Sequence, residues 1–310
     1  MDSLKILDLM GNEIGVSGTR AIAGLLAPGI DLDSFQVTDV RSVLAGFEGR
    51  ERIGCLTTLN LSYNCTSDAG CGYLGKAICI SNTIRRLSLE NCEISDNGYF
   101  VWCVHFLFSD NLKVFKKLTI RSKKKKKRHN IIYAYKGCKY LRRGIERNNT
   151  LTHLNIAANR FGDLGAREIQ TFLLRNNSLQ KLDISRNRLG AQRTMDIAKG
   201  VFIFLFFFFL PLLQRLRAFT IPIQFFLVCI LCNYHIHVYK GLTMNHSLKT
   251  LRMNINRTGA RGAQVLAKML INNHTLEELE LSYNEIFNDG VQVLAQGLIQ
   301  NHGLKKLILW

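Results

Sequence analysis

The frame LxxLxLxxN recurs along the whole chain: LKILDLMGN from Leu4, LTTLNLSYN from Leu56, IRRLSLENC from Ile84, LTHLNIAAN from Leu151, LQKLDISRN from Leu179, LKTLRMNIN from Leu248, LEELELSYN from Leu276 and LKKLILW from Leu304. A weaker copy, LDSFQVTDV, starts at Leu32, and the successive intervals are 28, 24, 28, 67, 28, 69, 28 and 28 residues. This period constrains the fold more tightly than composition does. One short unit cannot bury its own apolar stripe and must stack on the next, so the chain has to build a solenoid.

The two long intervals exceed a repeat by 39 and 41 residues. Joining Gly98 to Cys138, and Gly200 to Leu242, restores one regular repeat each time. The organisation is therefore repeats over 1–98, a basic insert over 99–137, repeats over 138–200, a phenylalanine-rich insert over 201–241, and repeats over 242–310. Both inserts follow a glycine and end in Tyr-Lys-Gly; one carries Lys123 to Lys127 unbroken and the other Phe206 to Phe209. They read as translated noncoding sequence retained between exons.

This division changes the meaning of the net charge of +18, which would otherwise point to nucleic acid or an anionic membrane. The inserts hold +10 and +3 of it, and 13 of the 18 phenylalanines; the other 230 residues hold only +5. No basic, apolar leader opens the chain and the nine cysteines show no framework spacing, so a reducing, cytoplasmic location is expected. The apolar runs 201–213 and 218–232 are each too short to span a bilayer and are separated by Gln214-Arg215-Leu216-Arg217. A membrane anchor is not expected.

Within a repeat, the leucines of LxxLxL point inward from a short strand, and the closing asparagine turns the chain and can bond main-chain groups of neighbouring turns. That ladder is Asn12, Asn64, Cys92, Asn159, Asn187, Asn256 and Asn284. Glycine follows six residues later in six of the seven cases and opens a helical pattern such as AREIQTFLLRNN. The spacing predicts strands near 6–8, 58–60, 86–88, 153–155, 181–183, 250–252, 278–280 and 306–308, with helices near 18–27, 70–80, 165–175, 262–271 and 290–300.

These residues resemble the ribonuclease-inhibitor-like class of leucine-rich repeats, also found in the sensing regions of NOD-like receptors and in Ran GTPase-activating protein. The shared pattern LxxLxLxxNxIgdxGaxxLaxxLxxN is carried by LTHLNIAANRFGDLGAREIQTFLLRNN and LEELELSYNEIFNDGVQVLAQGLIQN. The resemblance implies an α/β leucine-rich-repeat solenoid with a curved parallel sheet inside and helices outside. It says little of function, because the matching residues are structural.

Other motifs reduce to the repeat or to the inserts. Gly70 to Lys76 imitates a phosphate loop between strand and helix, but Ala77 replaces the hydroxyl that would hold magnesium. Cys229, Cys232, His235 and His237 crowd into nine residues of the second insert, too close for a structural zinc site. His246, His274 and His302 read as solvated loop histidines, and Asn148, Asn176, Asn245 and Asn273 as sequons arising from the repeat end. No nucleophile and base stand together, so no catalysis, cofactor, metal, small-molecule substrate or nucleic-acid partner is expected.

The expected function is a protein-interaction scaffold or sensor that binds another protein on the concave strand face. The contact residues would be Arg86, Ser88, His153, Asn155, Lys181, Asp183, Arg252, Glu278 and Glu280, whose mixed signs indicate neither a strongly acidic nor a strongly basic partner. Two alternatives stand beside it: a GTPase-activating role of the Ran-activator type, and a membrane-associated receptor using 201–232.

Overall fold

The structure, a computed structural model, describes residues 3–35, 55–95, 136–189 and 236–310. Eight strands form one parallel sheet in sequential order: β1 Ile6–Asp8, β2 Thr58–Asn60, β3 Arg86–Ser88, β4 His153–Asn155, β5 Lys181–Asp183, β6 Thr250–Arg252, β7 Glu278–Glu280 and β8 Lys306–Ile308. All eight lie where the leucine spacing puts them. Seven helices alternate with them: α1 Val16–Leu26, α2 Ser67–Ile80, α3 Lys136–Ile145, α4 Gly162–Arg175, α5 Ile236–Thr243, α6 Gly259–Asn272 and α7 Phe287–Ile299.

Each strand is only three residues long because its middle leucine is its sole inward side chain. Leu59, Leu87, Leu154, Leu182, Leu251 and Leu279 form one buried row, in register across every pair from β2 to β7. Leu61, Leu89, Ile156, Ile184, Met253 and Leu281 form a second buried row two residues on, and the helices close the core from the outer side. Burying each such side chain stabilises by roughly 1.5–3 kcal/mol, so the rows that define the period also supply its driving force.

The helices begin two or three residues before the repeat glycine that the sequence pattern takes as their start. That glycine lies in the first turn, where a methyl group would meet the side chain four residues earlier: Ile14 for Gly18, Thr66 for Gly70, Phe161 for Gly165, Thr258 for Gly262 and Ile286 for Gly290. None of α1, α2, α4, α6 and α7 has a side-chain cap. Instead the first helical N–H donates to the ladder carbonyl of the next repeat: Ser67 to Cys92 at 3.0 Å, Gly162 to Asn187 at 3.0 Å and Gly259 to Asn284 at 2.8 Å. The start signal is thus tertiary, and a capping residue is not needed in the sequence.

Helix α2 packs so closely on α3 that main chains touch. A methyl at Gly75 would lie 2.7 Å from the Tyr140 carbonyl carbon, and one at Gly144 would lie 3.0 Å from the Gly75 carbonyl carbon. Four of the six described cysteines, Cys71, Cys79, Cys92 and Cys138, are buried free thiols that fill this core.

The inserts read from the sequence fall mostly outside the described residues. Their last residues do not: Lys136 and Gly137 open α3, and residues 236–241 form most of α5, with Val238 and Tyr239 buried in the core. In the sequence Val238, Tyr239 and Gly241 align with Ile197, Ala198 and Gly200, so the two stretches offer the same repeat positions. Removing 99–137 and 201–241 together should therefore leave a chain that still melts cooperatively, with Ile197 and Ala198 occupying the seat of Val238 and Tyr239. A deletion product without a cooperative thermal transition would show that the replaced half-helix is indispensable.

Candidate functional site

On each strand the two residues flanking the buried leucine point away from the helices, because successive side chains alternate across a sheet. One row on this open face is Ile6, Thr58, Arg86, His153, Lys181, Thr250, Glu278 and Lys306; the next is Asp8, Asn60, Ser88, Asn155, Asp183, Arg252, Glu280 and Ile308. The face thus carries all nine residues singled out by the strand pattern.

The alternation runs one step past each strand and adds a third row that the strand pattern does not capture. Ser62, Glu90, Ser185, Asn254 and Ser282 hold the second row in place. Ser62 and Ser88 share a hydroxyl contact at 2.7 Å, Glu90 accepts from the Asn155 amide at 3.2 Å, and Asn254 donates to Glu280 at 3.2 Å. Asp183 accepts the Ser185 N–H at 3.0 Å, while burial pushes its carboxyl up from the ordinary range.

Charge is distributed unevenly along this face. Around β6 to β8 the charges pair: Arg252 donates to Glu280 at 3.1 Å, and Glu277, just before β7, lies 3.2 Å from Lys249 and 2.8 Å from Lys305. The two lysines hold the Glu277 carboxyl below its usual range. Glu278 lies in register between Thr250 and Lys306. Around β3 to β5, Arg86, His153 and Lys181 stand directly opposite one another, and neither Arg86 nor Lys181 makes an ion pair among the described residues. Partial burial, then the charges of Arg86 and Lys181, push the His153 pKa down; its Nδ1 lies 2.8 Å from the Thr152 hydroxyl.

Two asparagine ladders flank the sheet and fix this geometry. In the first, Asn64 accepts the N–H groups of Asn12 and Ile14 at 3.0 and 2.8 Å and donates to the carbonyls of Leu9 and Leu61 at 2.8 and 2.9 Å. Asn159, Asn187, Asn256 and Asn284 repeat the pattern; Asn284 accepts from Asn256 and Thr258 and donates to Met253 and Leu281. Asn12 is exposed and bonds the Met10 carbonyl of its own turn. The second ladder, at the repeat ends, is one the sequence disguises as sequons. Asn148, Asn176, Asn245 and Asn273 are buried, and each side-chain amide donates to two carbonyls of the preceding repeat.

Cys92 is the weak rung. Where Asn284 accepts the Thr258 hydroxyl at 2.8 Å, the equivalent Thr66 hydroxyl is buried with no nitrogen or oxygen partner and faces only the weakly accepting Cys92 sulfur. Nearby, Asp68 accepts the N–H and hydroxyl of Ser95 at 2.9 and 3.2 Å, and burial pushes its pKa up to about 6.

The Gly70 to Lys76 segment lies inside α2 rather than in a loop, and the Lys76 ammonium donates to the Leu32 carbonyl at 2.8 Å. It is helix packing and not a phosphate cradle. His274 and His302 stack at the repeat ends with ring centroids 6.1 Å apart. Among the described residues no group of acidic, cysteine and histidine side chains is arranged to hold a metal, and no helix is long and apolar enough to cross a membrane.

The family model described as Leucine Rich repeat matches residues 2–23, 55–75, 147–169, 175–192 and 272–295, and every match contains one strand of this sheet. The chain is a leucine-rich-repeat protein. Its repeats, with a full helix on the outer side of each strand, are of the ribonuclease-inhibitor-like type. No curated protein matches the chain. Among solved structures, the actin-binding site 2 of leiomodin-1 aligns at 13% identity over 85% of this chain and 88% of its own, with a TM-score of 0.36. The tropomodulin C-terminal domain of Caenorhabditis elegans aligns at 13% identity over 88% and 94%, TM-score 0.36. The leucine-rich-repeat-containing protein LegL7 of Legionella pneumophila aligns at 15% identity over 100% and 84%, TM-score 0.34.

Two stability effects follow from this geometry. Cys92→Asn should supply the missing acceptor to Thr66 and raise the unfolding free energy by about 1 kcal/mol, read by urea denaturation. Asp68 has a folded pKa above its unfolded value of 3.8, so its contribution is fully present below that value and is lost as pH rises through about 6. The protein should thus lose stability between about pH 4 and 6, and Asp68→Asn should remove that dependence. At pH 7.5 the variant should be more stable than the parent by roughly 1 kcal/mol, since solvent screening trims the full shift.

Proposed function

We propose that this leucine-rich-repeat protein is a non-catalytic interaction scaffold whose concave strand face binds another protein. One observation carries the reading: eight strands in unbroken register display two rows of mostly polar side chains on a rigid support. Side chains held this way lose little conformational freedom when a partner docks, which favours binding. The nine residues Arg86, Ser88, His153, Asn155, Lys181, Asp183, Arg252, Glu278 and Glu280 lie within this surface and form the contact set. A cytoplasmic setting suits the buried free thiols Cys71, Cys79, Cys92 and Cys138.

A steric test separates the two faces of the solenoid. Asn155→Trp places a bulky ring at the centre of the open face, whereas Gln264→Trp places one on the exposed side of α6. Both should melt as the parent does. Proteins captured from a cell extract should be lost by about tenfold on the first variant and kept on the second; equal capture by Asn155→Trp and the parent would refute the concave-face reading.

A further inference from the structure

Arg86, His153 and Lys181 lie on three adjacent strands as direct cross-strand partners, Arg86 opposite His153 and His153 opposite Lys181. Strands in a sheet are about 4.8 Å apart, and like charges placed directly opposite are unfavourable. Elsewhere on the same face Arg252 meets Glu280, and just before the strands Lys249 and Lys305 share Glu277. The row is bounded by the uncharged Thr58 on β2 and Thr250 on β6, beyond which comes Glu278. The nearest carboxylates on these strands are already engaged: Asp183 with the Ser185 N–H, and Glu90 with Asn155 and the Tyr63 hydroxyl. Arg86 and Lys181 are exposed, His153 is half-buried between them, and neither Arg86 nor Lys181 makes an ion pair among the described residues.

We infer that this cationic row is the docking site for an acidic helix of a partner protein, whose carboxylates at positions i, i+4 and i+7 run across β3, β4 and β5. The spacing selects a helix. Side chains three or four residues apart on a helix are about 5–6 Å apart, close to the strand interval. Alternate residues of an extended peptide are about 6.6–6.8 Å apart and fall out of step by the third strand. The inference rests on the concave-face reading and names the partner's chemistry. It also assigns the central histidine a part: partial burial, then Arg86 on β3 and Lys181 on β5, disfavour its protonation in the free protein, and a row of carboxylates above it opposes that bias. On its own strand His153 has Thr152 and Asn155 as neighbours, with Asp183 one row along on β5 and Glu90 two rows along beside β3.

The test uses the full chain and fluorescein-labelled, alanine-rich helical peptides with three glutamates either in the i, i+4, i+7 stripe or spread round the helix. By fluorescence anisotropy the striped peptide should bind, and should weaken by about tenfold or more between roughly 50 and 500 mM salt. Arg86→Ala combined with Lys181→Ala should weaken it by at least about tenfold, whereas Glu278→Gln should not. Lowering the pH from about 7.5 to 5.5 should tighten binding to the parent but not to His153→Gln. Any of four results overturns the inference: no binding of the striped peptide by the parent, equal binding of the spread peptide, equal binding by the double variant, or tighter binding of a single-stranded oligonucleotide at the same residues. The broader reading is judged separately. If cell-extract capture survives Arg86→Glu with Lys181→Glu yet is lost with Asn155→Trp, the concave face stands and the acidic helix falls; capture that survives both sets removes both.

Discussion

The fold depends on the buried asparagine amide at the end of each strand. A solenoid turn leaves main-chain N–H and C=O groups inside the core with no sheet or helix partner, and each one left unsatisfied costs roughly 1–3 kcal/mol. Asn64, Asn159, Asn187, Asn256 and Asn284 answer this with one side chain apiece, accepting from the preceding repeat and donating both to it and to their own turn. Their main-chain carbonyls also start the preceding helix at Gly162 and Gly259. One residue type thereby ties strand, turn and helix of two successive repeats, which is why the period is held so strictly.

That economy has a conformational cost just before each rung. Gly11, Tyr63, Asn91, Ala158, Arg186, Ile255 and Tyr283 all take left-handed backbone, with φ between 50° and 71°. For a β-branched residue such as Ile255 this is a strained state that only surrounding hydrogen bonds can impose; its N–H donates to the Ser282 carbonyl at 2.9 Å. Only Gly11 and Asn91 are residue types that favour this conformation, so at the other five positions the feature cannot be seen from residue identity.

What could be read from the sequence follows the same line between local and long-range causes. The strands were legible to the residue because the leucine row that names them is also the buried row. The helix starts were not, because their first N–H groups are satisfied from the next repeat rather than by a Ser, Thr or Asp in place. The second ladder hid behind an Asn-x-Ser/Thr pattern: the Ser178 and Thr275 hydroxyls bond the carbonyls of Leu151 and Asn245, a structural use of the same letters. On the open face the strand pattern collects positions that flank the buried leucines but treats their charges as one mixture. Only the cross-strand register, which pairs residues 28 apart such as Arg252 and Glu280, separates a paired region from an unpaired one.

The repeat starting at Ile84 is 67 residues from the next and the one starting at Leu179 is 69, where a regular repeat has 28. Despite the extra length, β3 still pairs with β4 and β5 with β6 in full register. The sheet is therefore blind to how much polypeptide is spliced in between those strands. A longer segment grafted between two such strands should leave every strand residue of the inner surface in place, so the repeat carries a natural attachment port.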